Sequence, residues 1–265
     1  MATNNDLSLQ VLVSTMHQTD HSLLEKMNIQ TDAIVVNQCD RNEIEEFEYK
    51  NHKIKWLSLN ERGVGLSRNT ALMRADADIL LFADDDIVYE DGFAQKVIDF
   101  FKNHPRVSFA VFNIQSLNPD RPEFLDTKDK KLNFTNSLKY GACRVAVRRE
   151  KALKANISYS LLFGGGAPHK AGEDNLFITN CLQKGLKGMA SKIMLGTVKQ
   201  EESSWFDGYN EKYYTDRGAL FCAMYGKMAK PMILLFELKS ILRKSNVKLF
   251  ERIRYEFKGV KEFKK

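Results

Sequence analysis

An apolar run that stops abruptly at three carboxylates constrains the fold of this chain more than any other segment. Residues 79–83 are continuously apolar, as is typical of a buried strand, and Asp84, Asp85 and Asp86 follow directly. In an open α/β sheet, ligands bind at the carboxyl ends of the strands. Adjacent acids repel one another unless a cation or a donor-rich ligand lies between them. The segment therefore predicts either a metal and diphosphate site or a solvated turn that caps a helix starting near Asp91.

The hydrophobic pattern around this segment predicts an α/β fold with a mostly parallel sheet flanked by helices. Strands are predicted at residues 7–14, 32–37, 54–59, 79–83, 107–113, 143–147 and 189–195. Helices are predicted at residues 20–27, 65–75, 92–103 and 175–184. The acidic segment 43–49 is predicted to be a helix or a loop, and residues 116–136 a long loop. The early alternation of strand and helix is what indicates parallel pairing.

The composition is that of an ordinary globular protein. The chain has 265 residues, 43% of them hydrophobic and 28% charged, which is enough for one large domain with a sizeable core. No stretch reaches the roughly 18–20 apolar residues of a membrane span, and the first residues show no signal-peptide pattern. The four cysteines lie apart in the sequence, which fits reduced cytosolic thiols better than disulfides or a zinc site.

The positive charge is concentrated at the C-terminal end. Residues 226–265 hold twelve Lys and Arg against four Glu, a balance of +8, so the rest of the chain sums to −2. From Pro231 onward, apolar residues recur at helical spacing among the basic ones. We therefore predict a domain at 1–225 and a basic amphipathic helical extension at 226–265, which either packs on the domain or meets an anionic membrane surface. No nucleic-acid-binding motif accompanies the basic charge, so no nucleic-acid partner is predicted.

A second motif, ERGVGLSRNT, spans residues 61–70. Its two glycines permit a tight loop whose backbone N–H groups can meet a ligand, and Arg68 just inside the following helix could reach a phosphate. Taken alone, the motif favours a structural turn with a surface arginine. A nicotinamide-binding site is rejected because the motif does not follow the first strand and lacks a third glycine.

A third motif, FGGGAPHKAGED, spans residues 163–174. The glycine run allows another molecule to approach the backbone closely. Glu173 and Asp174 then open a helix, where the helix dipole favours ionised carboxylates. Such a pair is either a simple helix N-terminus or the place of a general base beside an acceptor. A lone histidine such as His169 is more often structural than functional.

Taken together and in this order, the three motifs resemble those of the family 2 glycosyltransferases of the GT-A fold. The resemblance covers roughly residues 7–205 and includes Val13-Ser14-Thr15 at the end of the first strand. The triplet 84–86 is similar to the family's DXD motif, and residues 172–174 are similar to its late acid pair. Within the family, the chain looks most like bacterial enzymes that build capsular, exopolysaccharide or lipopolysaccharide repeat units.

The resemblance implies a role for individual residues. Asp174 would be the catalytic base, and Asp86 together with Asp85 would hold Mg²⁺ or Mn²⁺. The acceptor would be bound by Glu173, Gly165, Gly166, His169 and Trp205. The nucleotide-sugar donor would be bound by Ser14, Thr15, Asn37, Gly65, Arg68, Asn69, Asp84, Asp85 and Lys199.

Two features depart from the family pattern. Asn37-Gln38-Cys39 stands where many members carry an aspartate after the second strand, which bears on uridine preference. No histidine follows His169, so the histidine that completes the metal site in several members is absent, and Lys199 lies in that region instead.

The resemblance implies metal-assisted transfer of a sugar, with inversion, from a nucleotide sugar that we expect to be a UDP-sugar. The acceptor would be a glycan or a polyprenyl-linked saccharide at the cytoplasmic face of a bacterial membrane. The main alternative is an inactive, membrane-associated scaffold or glycan-binding module. A nucleotidyltransferase is less favoured because Ser14-Thr15-Met16-His17 is not a glycine- and lysine-rich phosphate loop.

Overall fold

Ten strands form one mixed sheet in the computed structural model, which describes residues 6–200, 208–239 and 247–264. The strands are β1 (Leu9–Met16), β2 (Asp32–Gln38), β3 (Glu43–Tyr49), β4 (His52–Leu59), β5 (Ile79–Asp84), β6 (Ile87–Tyr89), β7 (Phe109–Ser116), β8 (Lys130–Lys131), β9 (Val145–Arg148) and β10 (Gly188–Val198). The helices are α1 (Leu23–Lys26), α2 (Val64–Arg74), α3 (Phe93–Asn103), α4 (Arg149–Lys154), α5 (Glu173–Gln183), α6 (Glu211–Tyr225), α7 (Ala229–Lys239) and α8 (Leu249–Phe263).

The order of the strands brings the polar ends of several strands to one edge. The sheet runs β3-β4-β2-β1-β5-β9-β7-β10-β6, and β8 pairs with β10 outside this path. Strands β4, β2, β1 and β5 are parallel, so their carboxyl ends meet, with Ser14 directly opposite Asp84. The predicted parallel core is therefore present. The strand β9 is inserted antiparallel to both β5 and β7 and makes the sheet mixed.

The strands read as continuous apolar runs because both faces of the sheet are covered. One core layer contains Trp56, Phe101 and Phe112 and packs under α3. The other contains Phe82 and Phe177 and packs under α2 and α5. The resulting rigid platform fixes where each strand ends, and hence where the triplet 84–86 stands.

The expectation of a helix or loop at residues 43–49 is wrong. This segment is the edge strand β3, antiparallel to β4. Glu46 on the more exposed face pairs with Lys55 of β4 at 2.9 Å. Phe47 and Tyr49 on the other face pack against the core, and Glu45 on that face contacts His21. Side chains that alternate between a partly buried and an exposed face are typical of an edge strand, and the neighbouring lysines offset its negative charge.

Three C-terminal helices pack as one unit. The helix α6 was not predicted from the sequence, yet it contacts both α7 and α8 through an apolar cluster that includes Phe221, Ile233 and Val260. On its other side, Leu220 packs with Phe163 of the third motif. The division of the chain at residue 225 stays a prediction.

The stretch Glu211–Leu238 is long and apolar enough to cross a membrane by length and composition, although no span was predicted. It is not one straight helix, because α6 ends at Gly226, whose φ is +52°. The two parts pack on each other, with the rings of Phe221 and Phe236 5.5 Å apart. Glu237 within it is fully buried and ion-paired.

Candidate active site

A cleft of about 1200 Å³ opens at the carboxyl ends of the parallel strands. It brings together most of the predicted site residues, namely Ser14, Thr15, Arg68, Asp84, Asp85, Asp86, Gly165, Gly166, Glu173, Asp174 and Lys199. These residues include members of all three sequence motifs and are separated by up to 185 positions along the chain. The alternative of an isolated solvated turn at the triplet does not fit this placement.

The acid triplet lies where the chain turns from β5 into β6, two strands that occupy separate places in the sheet. The strand β5 ends at Asp84, and β6 begins at Ile87 and runs back against β10. The hydroxyl of Thr15 donates a hydrogen bond of 2.5 Å to Oδ2 of Asp85. Burial raises the pKa of Asp85, with a further contribution from the charge of Asp84. Burial and the charges of Asp84 and Asp85 raise the pKa of Asp86 to about 6.

The side chain of Arg68 joins the two acidic groups of the cleft. Its Nη2 lies 2.8 Å from Oδ1 of Asp84, and its Nη1 lies 2.8 Å from Oδ1 of Asp174 and 3.2 Å from Oε1 of Glu173. The residue is only 2% exposed, and its guanidinium lies over the ring of Tyr159. Burial alone would lower the pKa of Arg68, but the surrounding carboxylates raise it well above its ordinary value. Arg68 is therefore a buried cation that pairs with carboxylates, not the surface arginine expected if the motif were only a structural turn.

The second and third motifs interlock at the mouth of the cleft. The N–H of Val64 donates to the carbonyl oxygen of Gly165 at 2.9 Å. Gly166 has a φ of +80°, and a Cβ atom on it would lie 2.9 Å from Cα of Gly63. A residue with a side chain would be strained there and would also clash. The glycine run thus serves a close contact between two loops that both line the cleft.

Four predicted site residues do not line the cleft. The amide of Asn37 is fully buried and holds the backbone of Gln18 through both its oxygen and its nitrogen. The amide of Asn69 makes the same paired contacts with the backbone of Tyr159. Gly65 allows close packing instead, since a Cβ atom there would lie 2.4 Å from the carbonyl oxygen of Ser160.

The fourth of these residues, His169, connects the glycine-rich loop to the C-terminal helices. Its Nδ1 lies 2.8 Å from Oδ1 of Asp216 on α6, and its ring stacks on Phe163. The ring also contacts Phe263 at the end of α8. The remaining predicted acceptor residue, Trp205, lies outside the described residues.

The cleft also contains charged and polar residues that sequence reasoning missed. Gln38, Arg62, Arg121, Glu123 and Lys170 all line it. The carboxylate of Glu123 pairs with the guanidinium of Arg144, which is almost fully buried. Gln38 is the last residue of β2, next to Asn37, to which the resemblance directs attention. Arg62 and Lys170 lie inside the second and third motifs, whereas Arg121 and Glu123 lie in a loop whose sequence carries no motif.

The carboxylates of the triplet are suitable ligands for a hard divalent cation. No group of three or more His, Cys, Asp or Glu side chains within 6–200, 208–239 and 247–264 is arranged to hold a metal by itself. Mg²⁺, however, is commonly held by one or two carboxylates, with water and substrate phosphates completing its shell. Burial, followed by the charges of Asp84 and Asp85, raises the pKa of Asp86, and a bound cation would favour its ionised form. Asp85 and Asp86 therefore fit the predicted role.

Solved structures with the same architecture are glycosyltransferases. S. aureus TarS, residues 1–349 in complex with UDP-GlcNAc, has a TM-score of 0.65 and 16% identity, covering 97% of this chain and 80% of that one. The mannosyltransferase PcManGT from Pyrobaculum calidifontis, in complex with GDP-Man and Mn²⁺, has a TM-score of 0.51 and 12% identity, covering 97% and 70%. Among curated proteins, none matches this chain.

The sequence profile of Glycosyl transferase family 2 matches residues 13–155, which include β1, the second motif and the acid triplet. The profile covers more than half of the chain, and the structural matches extend the same fold across 97% of it. The predicted GT-A fold is confirmed. The chain belongs to glycosyl transferase family 2 and is a glycosyltransferase.

Proposed function

We propose that this enzyme transfers a sugar from a UDP-sugar to a glycan or lipid-linked saccharide, with inversion at the anomeric carbon. One observation carries the proposal: the triplet Asp84–Asp86 and the pair Glu173–Asp174 line the same cleft, and Arg68 lies between them. The triplet is suited to a donor diphosphate and its metal. The late acid pair is suited to an acceptor hydroxyl. Surface polysaccharide synthesis in a bacterium is the role that the sequence resemblance suggests.

The donor would lie along the ends of β1 and β5. Ser14, Thr15 and Gln38 line this side of the cleft, and the amide nitrogen of Gln38 is a donor suited to a uracil carbonyl oxygen. Lys199 and Arg121 supply positive charge near the position of the diphosphate. The UDP-GlcNAc bound to TarS supports a uridine nucleotide, and the GDP-Man bound to PcManGT makes guanosine the competing choice.

Asp85 and Asp86 would hold Mg²⁺ or Mn²⁺ against the diphosphate. A bound divalent cation stabilises the negative charge that develops on the departing nucleoside diphosphate. The Mn²⁺ in the PcManGT structure supports this choice of cofactor. The chain's own residues on this side, Thr15 and Arg68, hold Asp85 and Asp84 in place through their hydrogen bonds.

Asp174 would remove the acceptor proton. The acceptor oxygen forms its bond to the anomeric carbon while the bond from that carbon to the diphosphate oxygen breaks, and the proton passes to the Asp174 carboxylate. The guanidinium of Arg68 donates a hydrogen bond of 2.8 Å to Oδ1 of Asp174 and so orients that carboxylate. Glu173 lines the cleft beside it and would contact the acceptor. Gly165 and Gly166 line the cleft and would contact the acceptor through their backbone.

The alternative function is an inactive scaffold or glycan-binding module. It shares the fold and the cleft but requires no base and no metal. The intact acid triplet and acid pair favour the enzyme. We also propose that the protein works in the cytoplasm at the inner face of the cell membrane, held there by its basic C-terminal segment.

Thermal melting with nucleotides tests the donor site directly. UDP, GDP and their sugars would be added with and without Mn²⁺, because a ligand that binds the native state raises the melting temperature. We expect a Mn²⁺-dependent rise with uridine nucleotides that is lost in Asp86→Ala and kept in Asp99→Ala, an exposed aspartate on α3 outside the cleft. No rise with any nucleotide would contradict the proposal and favour the scaffold.

A further inference from the structure

The helices α7 and α8 form an antiparallel hairpin with two distinct ends. Lys230 near the start of α7 lies over the ring of Phe257, whereas Glu237 near its end pairs with Arg252 at 3.1 Å. Moving forward along α7 therefore means moving backward along α8. The end of α7 and the beginning of α8 consequently lie at the same end of the hairpin.

That end carries a group of exposed apolar side chains, here called the apolar tip. The tip consists of Leu234, Leu235, Leu238, Leu249 and Phe250, with exposures of 48%, 46%, 65%, 36% and 79%. A single exposed leucine is ordinary, but a group of this kind on two neighbouring helices indicates an interaction surface.

The other end of the hairpin carries a basic groove of about 770 Å³. The groove is lined by Lys230, Arg254, Lys258, Lys261 and Lys264, together with Tyr255, Phe257, Val260 and Glu211. Glu211 is the only acid in this lining and is paired with Lys258 at 2.8 Å. Within the described residues, Lys230, Arg254 and Lys261 form no ion pair. The groove therefore carries excess positive charge.

The tip and the groove lie on the same face of the hairpin. On α7, Lys230, Leu234 and Leu238 recur every four residues, which places them in one row. On α8, Phe250 and Arg254 are also four apart, and Lys261 follows seven later. Since Lys230 and Arg254 line the same groove, the two rows run side by side from apolar to basic.

Buried ion pairs hold this face in position. Arg217 of α6 contacts both Glu237 of α7 and Glu256 of α8, and both glutamates are fully buried. Each of the three helices thus contributes a charge to one enclosed network. The hairpin cannot turn its apolar tip inward without leaving buried charges unpaired, which is costly.

We infer that the α7–α8 hairpin is a membrane anchor whose apolar tip enters the acyl region of a bilayer while the basic groove binds headgroup phosphates of anionic phospholipids. This inference deepens the proposed membrane location and does not depend on the catalytic proposal. An apolar row continuous with cations is the arrangement that an interface between hydrocarbon and phosphate requires. A second copy of the chain is a poorer occupant, because an apolar contact through the tip would leave the basic groove without an anionic partner.

Sedimentation of the full-length protein with vesicles tests the anchor. The vesicles would consist of phosphatidylcholine alone or of phosphatidylcholine mixed with phosphatidylglycerol. The groove variant combines Arg254→Glu and Lys261→Glu, and the tip variant combines Leu234→Ser and Phe250→Ser. All four side chains are exposed, so both variants should fold.

Each variant has a matched control elsewhere on the surface. For the groove it is Lys184→Glu with Lys192→Glu, two exposed lysines near α5 and β10. For the tip it is Leu153→Ser with Met73→Ser, whose exposures of 47% and 79% equal those of the tip residues to within one percent. Melting temperature and UDP binding would be measured on the same samples, so that a folding defect is recognised.

We expect wild type to bind the mixed vesicles more tightly than phosphatidylcholine alone. One cation near such a surface contributes about a five-fold change in affinity, so the groove variant should lose at least about ten-fold. The tip variant should also lose binding, and both controls should retain it. Equal sedimentation with both vesicle types, or equal losses in the controls, would overturn the inference.

A dimer that only the tip variant abolishes would also overturn it, because the tip would then be an interface between copies. Failure of the anchor and failure of the catalytic proposal remain distinguishable. Protein that binds UDP but no vesicles overturns the anchor alone. Protein that binds anionic vesicles but no nucleotide supports the anchor and counts against the proposed transfer reaction.

Discussion

Nη2 of Arg68 lies 2.8 Å from Oδ1 of Asp84, deep in the cleft. The contact links the middle of the second motif to the first acid of the triplet. The other guanidinium nitrogen of Arg68 reaches the acid pair of the third motif. A single buried cation therefore balances acids at both ends of the site.

Replacing Arg68 should destabilise the fold strongly. Arg68→Met would leave carboxylates in a partly buried site without their shared cation, and breaking such a group costs about 3–5 kcal/mol. Arg68→Lys should cost less stability than Arg68→Met, because an ammonium retains the positive charge. It should still cost some stability, because an ammonium cannot reach both acidic groups. The free energy of unfolding in urea measures both. The control is Arg106→Met at an exposed position, with an expected change within about 0.5 kcal/mol. Equal stability of the Arg68→Met variant and this control would show that the network is unimportant.

Removing the proposed base should separate catalysis from binding. Asp174→Asn keeps the size of the side chain and an oxygen for Arg68 to contact, but it removes the proton acceptor. We expect kcat to fall about 10²- to 10⁴-fold while the melting-temperature shift with UDP and Mn²⁺ is retained. UDP release in the presence of a competent acceptor measures the turnover. Turnover within a few-fold of wild type would assign the base to another residue, and Glu173→Gln would be examined next.

Neutralising Asp86 should weaken metal binding without weakening the metal-free fold. Burial and the neighbouring charges already disfavour an ionised group here, as the pKa of about 6 indicates. Asp86→Asn should therefore melt at or above the wild-type temperature without metal, yet lose the Mn²⁺-dependent part of the UDP shift. Asp76→Asn, at an exposed position away from the cleft, should change neither value. A lower melting temperature for Asp86→Asn in the absence of metal would mean that the carboxylate is stabilising.

Stability should fall as the pH rises through the titration of Glu256. Burial raises its pKa from 4.5 to about 7 in the folded protein, against the opposing effect of Arg217. Between those values the unfolded chain releases a proton that the folded protein retains, so the free energy of unfolding decreases by at most about 3 kcal/mol. Urea unfolding on either side of this window measures the change. Glu256→Gln should abolish this part of the pH dependence. The same slope in wild type and variant would assign it to other groups.

Much of the sheet could be predicted because its strands are buried on both faces. Continuous apolar runs such as residues 79–83 leave little choice of structure. The edge strand β3 could not be recognised in the same way, because only Phe47 and Tyr49 of its side chains pack against the hydrophobic core and the lysines that offset its glutamates belong to β4. The helix α6 was missed because both of its faces pack, which removes the amphipathic period.

The site was predicted where chemistry is local in sequence. Three consecutive acids can be recognised in the sequence, and so can an acid pair after a glycine run. The hydrogen-bond partner of a polar side chain cannot be recognised there. Asn69 looks like a ligand-binding residue beside Arg68, yet its amide holds the backbone of Tyr159, ninety positions away. Arg144 is the opposite case: its buried guanidinium pairs with Glu123 of the cleft, yet no sequence motif contains it.

The hydrogen bond between His169 and Asp216 makes the glycine-rich loop part of the same rigid body as the C-terminal helices. Leu220 and Phe163 reinforce this connection through their shared apolar cluster. The distance from Asp174 to any surface on which those helices rest is consequently set by the fold. With the hairpin on a bilayer, Asp174 would be held at a fixed height above the membrane surface. Acceptors would then be selected by how far their hydroxyl stands above the lipid, in addition to the groups they present to the cleft.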